Sequence, residues 1–168
     1  PGNHEVILVS SAPEAPGDEA AFAALTKRIT QGATAVFLSP AVFKKGDSPV
    51  GWLPLEKKGS LGTIWSWLYL KDEWAKRHPI FDGLPCGGLM DNVYYRELIT
   101  SQWWQGQEPP AEAVAGAIKA SQGYESGLTV AVYNLGEGRF VLNTLAIRAN
   151  LGKHPAAERL LRNMLRYS

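Results

Sequence analysis

Two short apolar runs flanking one helical repeat constrain this chain more than any other feature. Glu5-Val6-Ile7-Leu8-Val9-Ser10 is mostly apolar and β-branched without alternation, which reads as a strand covered on both faces in a parallel sheet. A stretch holding Pro13, Pro16 and Gly17 ends it. Asp18 is then a candidate N-cap, Phe22, Leu25 and Ile29 recur at helical spacing, Lys27 and Arg28 suit the last turns, and Gly32 follows as a C′ residue. Ala33-Thr34-Ala35-Val36-Phe37-Leu38 is a second buried strand, so residues 5–38 read as one strand-helix-strand unit.

The rest of the chain divides into an irregular middle and a regular end. Between Ser39 and Gln107 the pattern is broken by Pro40, Pro49, Pro54, Pro79 and Pro85, and all six tryptophans fall there. Residues 61–70 carry strand character, and residues 92–98 are compatible with strand or helix. Residues 113–120 and 128–134 read as strands. Leu135-Gly136-Glu137-Gly138 then turns the chain into residues 139–145, a β-hairpin. Pro155 stands at a first helical position, and Ala157, Leu160, Leu161, Met164 and Leu165 form a stripe on a closing helix.

At 168 residues the chain has the size of one domain with one core, burying roughly two-thirds of its unfolded surface. Its start at Pro1, within a few residues of an apolar run, suggests a domain excised from a longer polypeptide. Lys and Arg number 17 against 16 Asp and Glu, with no cationic run longer than two, which argues against a nucleic-acid or anionic-membrane surface. No apolar stretch approaches the roughly 20 residues of a spanning helix. The single cysteine, Cys86, excludes an internal disulfide and a cysteine-based zinc cluster. His4, His78 and His154 are too scattered to suggest a metal site.

Three segments carry a family resemblance. One is the 5–38 unit, with its Asp18-Glu19 helix start and its Gly32 before the second strand. Another is His78-Pro79-Ile80-Phe81-Asp82-Gly83-Leu84-Pro85, followed by Asp91 and Tyr94. The last is Gly136-Glu137-Gly138-Arg139-Phe140-Val141-Leu142-Asn143-Thr144 with the helix over 157–167. Together they resemble class I glutamine amidotransferases and the related trehalose-utilisation (ThuA-like) proteins, over more than half the chain. The later segments are also similar to amidotransferase-like domains appended to bacterial glycoside-hydrolase-related proteins of the family 2 type. The resemblance implies an α/β, flavodoxin-like fold: a mainly parallel sheet flanked by helices, closed by a C-terminal hairpin and helix. It also implies that the first strand or strands of the complete fold lie upstream of Pro1.

It further implies a place for catalysis that these residues do not fill. The enzymes hold a cysteine on a strand-to-helix elbow, a histidine after a late strand, and an oxyanion hole that uses the amide following the nucleophile. Here the elbow falls at Ser39, with no G-x-C-x-G, and the next residue is Pro40. Proline has no N–H to donate. Where the family ends its strand in "F-H-P-E", this chain reads Asn143-Thr144-Leu145-Ala146. Cys86, in Pro85-Cys86-Gly87-Gly88, lies outside any elbow pattern and reads as a structural thiol. No catalytic residue and no cofactor are therefore expected.

Other ligand chemistry rests on aromatics and on one short loop. Trp65, Trp67, Trp103 and Trp104, with Trp52, Trp74 and Tyr69, would suit sugar rings or a protein interface if exposed. Packing within the domain is the favoured reading, then an interface, then sugar binding. Asp91, Tyr94, Tyr95 and Arg96 follow the Gly-Leu-Pro loop and are placed to line a cleft at strand ends. The favoured reading there is an Asp-Arg pair over packed tyrosines. A hydrolase or isomerase acting on a sugar derivative through Asp91, Arg96 and His78 is the alternative, and Asp91 with Glu97 is a weak candidate for a glycosidase carboxylate pair. The leading expectation is a non-catalytic accessory domain of a larger, carbohydrate-active bacterial protein. Its expected partners are neighbouring domains or a second subunit, with carbohydrate as a further candidate. The compartment stays open, a periplasmic or secreted parent being compatible with this reading.

Overall fold

The computed structural model describes residues 5–10, 19–64, 71–120 and 123–168. Its strands are β1 (Val6–Val9), β2 (Thr34–Phe37), β3 (Ser60–Thr63), β4 (Lys71–Ala75), β5 (Gly88–Leu89), β6 (Gln102–Gln105), β7 (Glu112–Ala120), β8 (Tyr124–Leu135) and β9 (Gly138–Asn143). The helices are α1 (Glu19–Thr30) and α2 (Pro155–Tyr167), with 3₁₀ turns at Pro40–Phe43, Pro79–Phe81 and Arg148–Asn150. Among the described residues the nine strands form one mixed sheet in the order β1-β2-β9-β8-β7-β4-β5, with β6 pairing both β3 and β8. The protein is therefore α/β.

The sheet is largely antiparallel, which corrects the expectation of a mainly parallel one. Only β1 with β2 and β2 with β9 run parallel; the other six pairings are antiparallel. A parallel neighbour needs a crossover connection, usually a helix, whereas antiparallel strands can be joined by a short turn. With two helices in the described residues, most of the sheet is built from antiparallel neighbours, including the β8–β9 hairpin expected from Gly136 and Gly138.

Alternation along the central strands splits the core into two faces. Val36, Val141, Val130 and Val132 face one side, where Ala156, Ala157, Leu160 and Met164 of α2 cover them. Ala35, Phe37, Phe140, Leu142 and Ala131 face the other, against Ile29, Phe22 and Leu25 of α1 and against Phe43 and Leu53. Both faces being covered explains why residues 35–38 are uninterruptedly apolar.

Two further expectations change. β1 lies at the end of the strand order and is not buried on both faces: Ile7 and Val9 pack inward, while Val6 and Leu8 are 38% and 43% exposed. One strand neighbour and one helix layer cover half of its surface. Residues 92–98 form successive turns rather than a strand or helix. Asp91 starts them, its Oδ1 accepting from the amides of Val93 (2.7 Å) and Tyr94 (3.0 Å), an Asx-type bond that competes with regular structure. The strand expected over 61–70 begins at Ser60 as β3; residues 65–70, with Trp65, Trp67 and Tyr69, and the N-cap candidate Asp18 lie outside the described residues.

Candidate functional site

The parallel strands β2 and β9 end side by side, at the place where the resemblance puts an elbow and a histidine. Ser39 is extended (φ −146°, ψ 133°) and its Oγ accepts from the amide of Ala41, capping the Pro40–Phe43 turn. The chain thus leaves β2 into a single 3₁₀ turn whose first residue, the buried Pro40, has no amide hydrogen. Asn143 closes β9 at 1% exposure. Its Nδ2 donates to the carbonyls of Leu38 (3.3 Å) and Leu145 (2.9 Å), and its Oδ1 accepts from the Leu145 amide (3.1 Å). Both amide hydrogens are used, and they tie the ends of two adjacent strands together. Thr144, also buried, donates its backbone N–H to Thr129 at 2.8 Å. A carboxamide does not titrate near neutral pH, so this cluster holds backbone and moves no proton.

His78 and His154 serve as caps. His78 Nδ1 accepts from the Ile80 amide at 3.2 Å, so its ring proton resides on Nε2, which faces Glu112 Oε2 at 2.8 Å. With both nitrogens engaged, His78 has no free lone pair to act as a base. His154 repeats the device at the start of α2, its Nδ1 accepting from Ala156 at 3.2 Å. Ser39-Pro40, His78-Pro79 and His154-Pro155 are thus the same solution: a side-chain acceptor followed by proline at N1. The repeated pairing of a polar residue with proline is the sequence signal for these roles.

Glu112, at the start of β7, is the hub of a second cluster. The Tyr167 hydroxyl donates to its Oε1, the His78 ring packs edge-on to Tyr167 at 4.7 Å, and the Arg139 guanidinium lies 4.6 Å from the Tyr167 ring centre. Arg139 Nη2 also donates to the Tyr167 carbonyl at 2.6 Å. The Tyr167 hydrogen bond, ahead of the His78 and Arg139 contributions, holds the Glu112 carboxyl below its ordinary value of 4.5. Burial, then the Glu112 carboxylate, pushes Tyr167 up to about 12.

A depressed carboxylate stabilises the folded state above its unfolded pKa, and that contribution is lost as pH falls through the folded value. The stability gap between the native chain and Glu112→Gln should therefore be full at neutral pH and close below the ordinary value of 4.5. The Glu112 side chain is 41% exposed. Solvent screening discounts the gap to about 1 kcal/mol. Thermal melts of both proteins across pH measure it, and a gap that persisted in acid would show that the carboxylate charge is not its source.

A groove of about 550 Å³ opens beside this hub, lined among others by Arg77, His78, Cys86, Asn163, Arg166 and Tyr167. Arg139 at the start of β9 bonds Tyr167, whereas Asn143 ends β9, so this hub meets β9 at the end away from Asn143, and neither Ser39, Pro40 nor Asn143 lines the groove.

Three of the described aromatic candidates, Trp103, Trp104 and Tyr95, are core. Trp103 and Trp104 are each 1% exposed. Neighbours on β6, they face opposite sides of the sheet. Trp103 lies against Gly62 and Gly127, where a Cβ would come within 2.4 and 2.7 Å of the indole. Trp104 meets Phe43 edge-on at 5.7 Å. Tyr95 is fully buried and donates to the Pro85 carbonyl, and burial raises its hydroxyl pKa well above the usual range. Trp52 stacks on Phe22 at 5.6 Å, under Lys45.

Asp91, Tyr94, Arg96 and Glu97 are exposed. No ion pair joins Asp91 to Arg96, and neither lines the groove that holds His78. The structure therefore does not bring Asp91, Arg96 and His78 into one site. Among the described residues no group of three or more His, Cys, Asp or Glu could hold a metal ion, and no helix is long and apolar enough to cross a membrane.

No family model matches the chain, and no curated protein matches it. Among solved structures it is similar to the cytoplasmic protein STM3548 from Salmonella typhimurium, at TM-score 0.56 and 11% identity, over 97% of this chain and 71% of that one. At that identity the likeness concerns the fold alone.

Proposed function

We propose that this chain is a non-catalytic domain of flavodoxin-like, amidotransferase-type architecture, serving as an interaction or scaffolding module within a larger carbohydrate-active protein. The observation that carries the reading is Asn143. Where the resemblance calls for a titrating histidine, a buried carboxamide spends both of its hydrogens on backbone carbonyls. Pro40 supports it, since an absent oxyanion donor alone costs about 10²- to 10³-fold in rate. Cys86 offers no substitute nucleophile: its Sγ is 4.0 Å from the Phe81 carbonyl, and the next residue, Gly87, bonds Ala75 of β4, three strands across the sheet from β9.

The alternative hydrolase or isomerase reading has less support, because Asp91 and Arg96 stand apart from His78 and both His78 nitrogens are occupied. Sugar binding through Trp103 and Trp104 is likewise disfavoured by their burial. Glutaminase and p-nitrophenyl-ester assays on the purified chain should give rates indistinguishable from those of Ser39→Ala and Cys86→Ala. Turnover abolished by either substitution would sink the proposal.

A further inference from the structure

We propose that the groove between the Pro79–Phe81 turn and the end of α2 binds a small organic anion, a carboxylate or phosphate carried on an apolar body. This goes beyond the accessory role, and it concerns a groove that neither Ser39, Pro40 nor Asn143 lines.

Arg77 and Arg166 supply the charge. Both line the groove, both are exposed, and neither has an ion-pair partner among the described residues. Guanidinium groups match the planar fork of a carboxylate or phosphate, and they give up hydration more readily than an ammonium. Arg77 is also held in place. Its side chain crosses the backbone at Gly87 (φ +88°), where a Cβ would lie 2.9 Å from the arginine Cγ and Nε. The bare glycine is what lets the guanidinium stem lie flat at the rim.

The rest of the lining suits the body of such a ligand. Pro79, Leu84 and Cys86 give an apolar wall. The polar groups behind them are satisfied internally: Asn163 Nδ2 donates to the carbonyls of Ile80 (3.1 Å) and Asp82 (2.9 Å), and His78 and Tyr167 are spent on Glu112. Only the arginines are left to recognise a head group. Asp82 is the one acidic side chain in the lining, and its charge opposes an anion. Its removal should therefore tighten binding.

Cys86 provides a local reporter, being the single cysteine of the chain and part of the wall. Alkylation of Cys86 by iodoacetamide, followed by intact mass, is measured in sodium chloride, in inorganic phosphate and in sodium butyrate at matched ionic strength. With a Kd of about 1 mM, roughly 10 mM of anion leaves about a tenth of the sites empty and slows alkylation about tenfold. Protection by phosphate alone identifies a phosphoryl head group, and protection by butyrate a carboxylate. Arg77→Ala and Arg166→Ala should each weaken the protecting anion about tenfold, and Asp82→Asn should strengthen it. Arg162→Ala, exposed on α2 and outside the lining, should leave it unchanged. The proposal is overturned if neither anion slows the reaction, or if Arg162→Ala relieves protection as much as the groove arginines do.

Discussion

Trp104→Ala should lower the unfolding free energy by about 3–5 kcal/mol, the cost of emptying a large aromatic site in a core that cannot fully collapse. The residue is 1% exposed and bridges β6 to the cluster of Phe43, Phe37 and Phe140 beneath α1. Trp104→Phe should cost far less than its lost volume suggests. The indole Nε1–H is buried with no hydrogen-bond partner, and phenylalanine removes a donor whose unsatisfied burial costs about 1–3 kcal/mol. Trp52→Ala is the comparison: Trp52 is half-exposed and stacked on Phe22, so its loss should be clearly smaller. Urea denaturation of the three variants orders them. A Trp104→Ala protein within about 1 kcal/mol of native, against the scale of such truncations, would take Trp104 out of the core and return the tryptophans to the surface-ligand reading.

The same residues show what was legible in the sequence. β2, β9 and α2 were readable because each carries a complete apolar pattern: Val36 and Val141 on one face, Phe37 and Phe140 on the other, and Ala157, Leu160 and Met164 along a helix. β6 was not. Its Gln-Trp-Trp-Gln core puts two adjacent indoles on opposite faces, a pattern buried only because both faces happen to be covered and because Gly62 and Gly127 leave room for Trp103. β4 hides in Lys71-Asp72-Glu73-Trp74-Ala75, where charges mask a strand whose Glu73 and Ala75 are buried. Strand direction is a property of connections rather than of strands, so the antiparallel majority could not be read from apolar runs. At the candidate site the positions Ser39, Pro40 and Asn143 were identifiable, but only as missing chemistry. That Asn143 bonds the Leu38 carbonyl depends on a register between β2 and β9 that no local pattern encodes.

Asn143→Ala should cost about 2–4 kcal/mol, because it strands the Leu38 carbonyl and the Leu145 amide in the interior while leaving a small cavity. The carboxamide is matched to its place: one donor reaches across to Leu38, the other bonds Leu145 O, and the oxygen takes Leu145 N. Asn143→His, which restores the residue type the resemblance calls for, should be destabilising as well. Neutral imidazole has one N–H and one acceptor on opposite sides of a rigid ring, so it cannot supply two donors and an acceptor to this arrangement. It should also fail to produce glutaminase activity, since Ser39 still caps Ala41 and Pro40 still lacks its amide hydrogen. Chemical denaturation and the glutaminase assay on the two variants test both halves. If Asn143→His matched native stability, the strand-end tie would not be what selects asparagine there. If it gained turnover, the elbow would have kept its chemistry, and one substitution would have been enough to silence it.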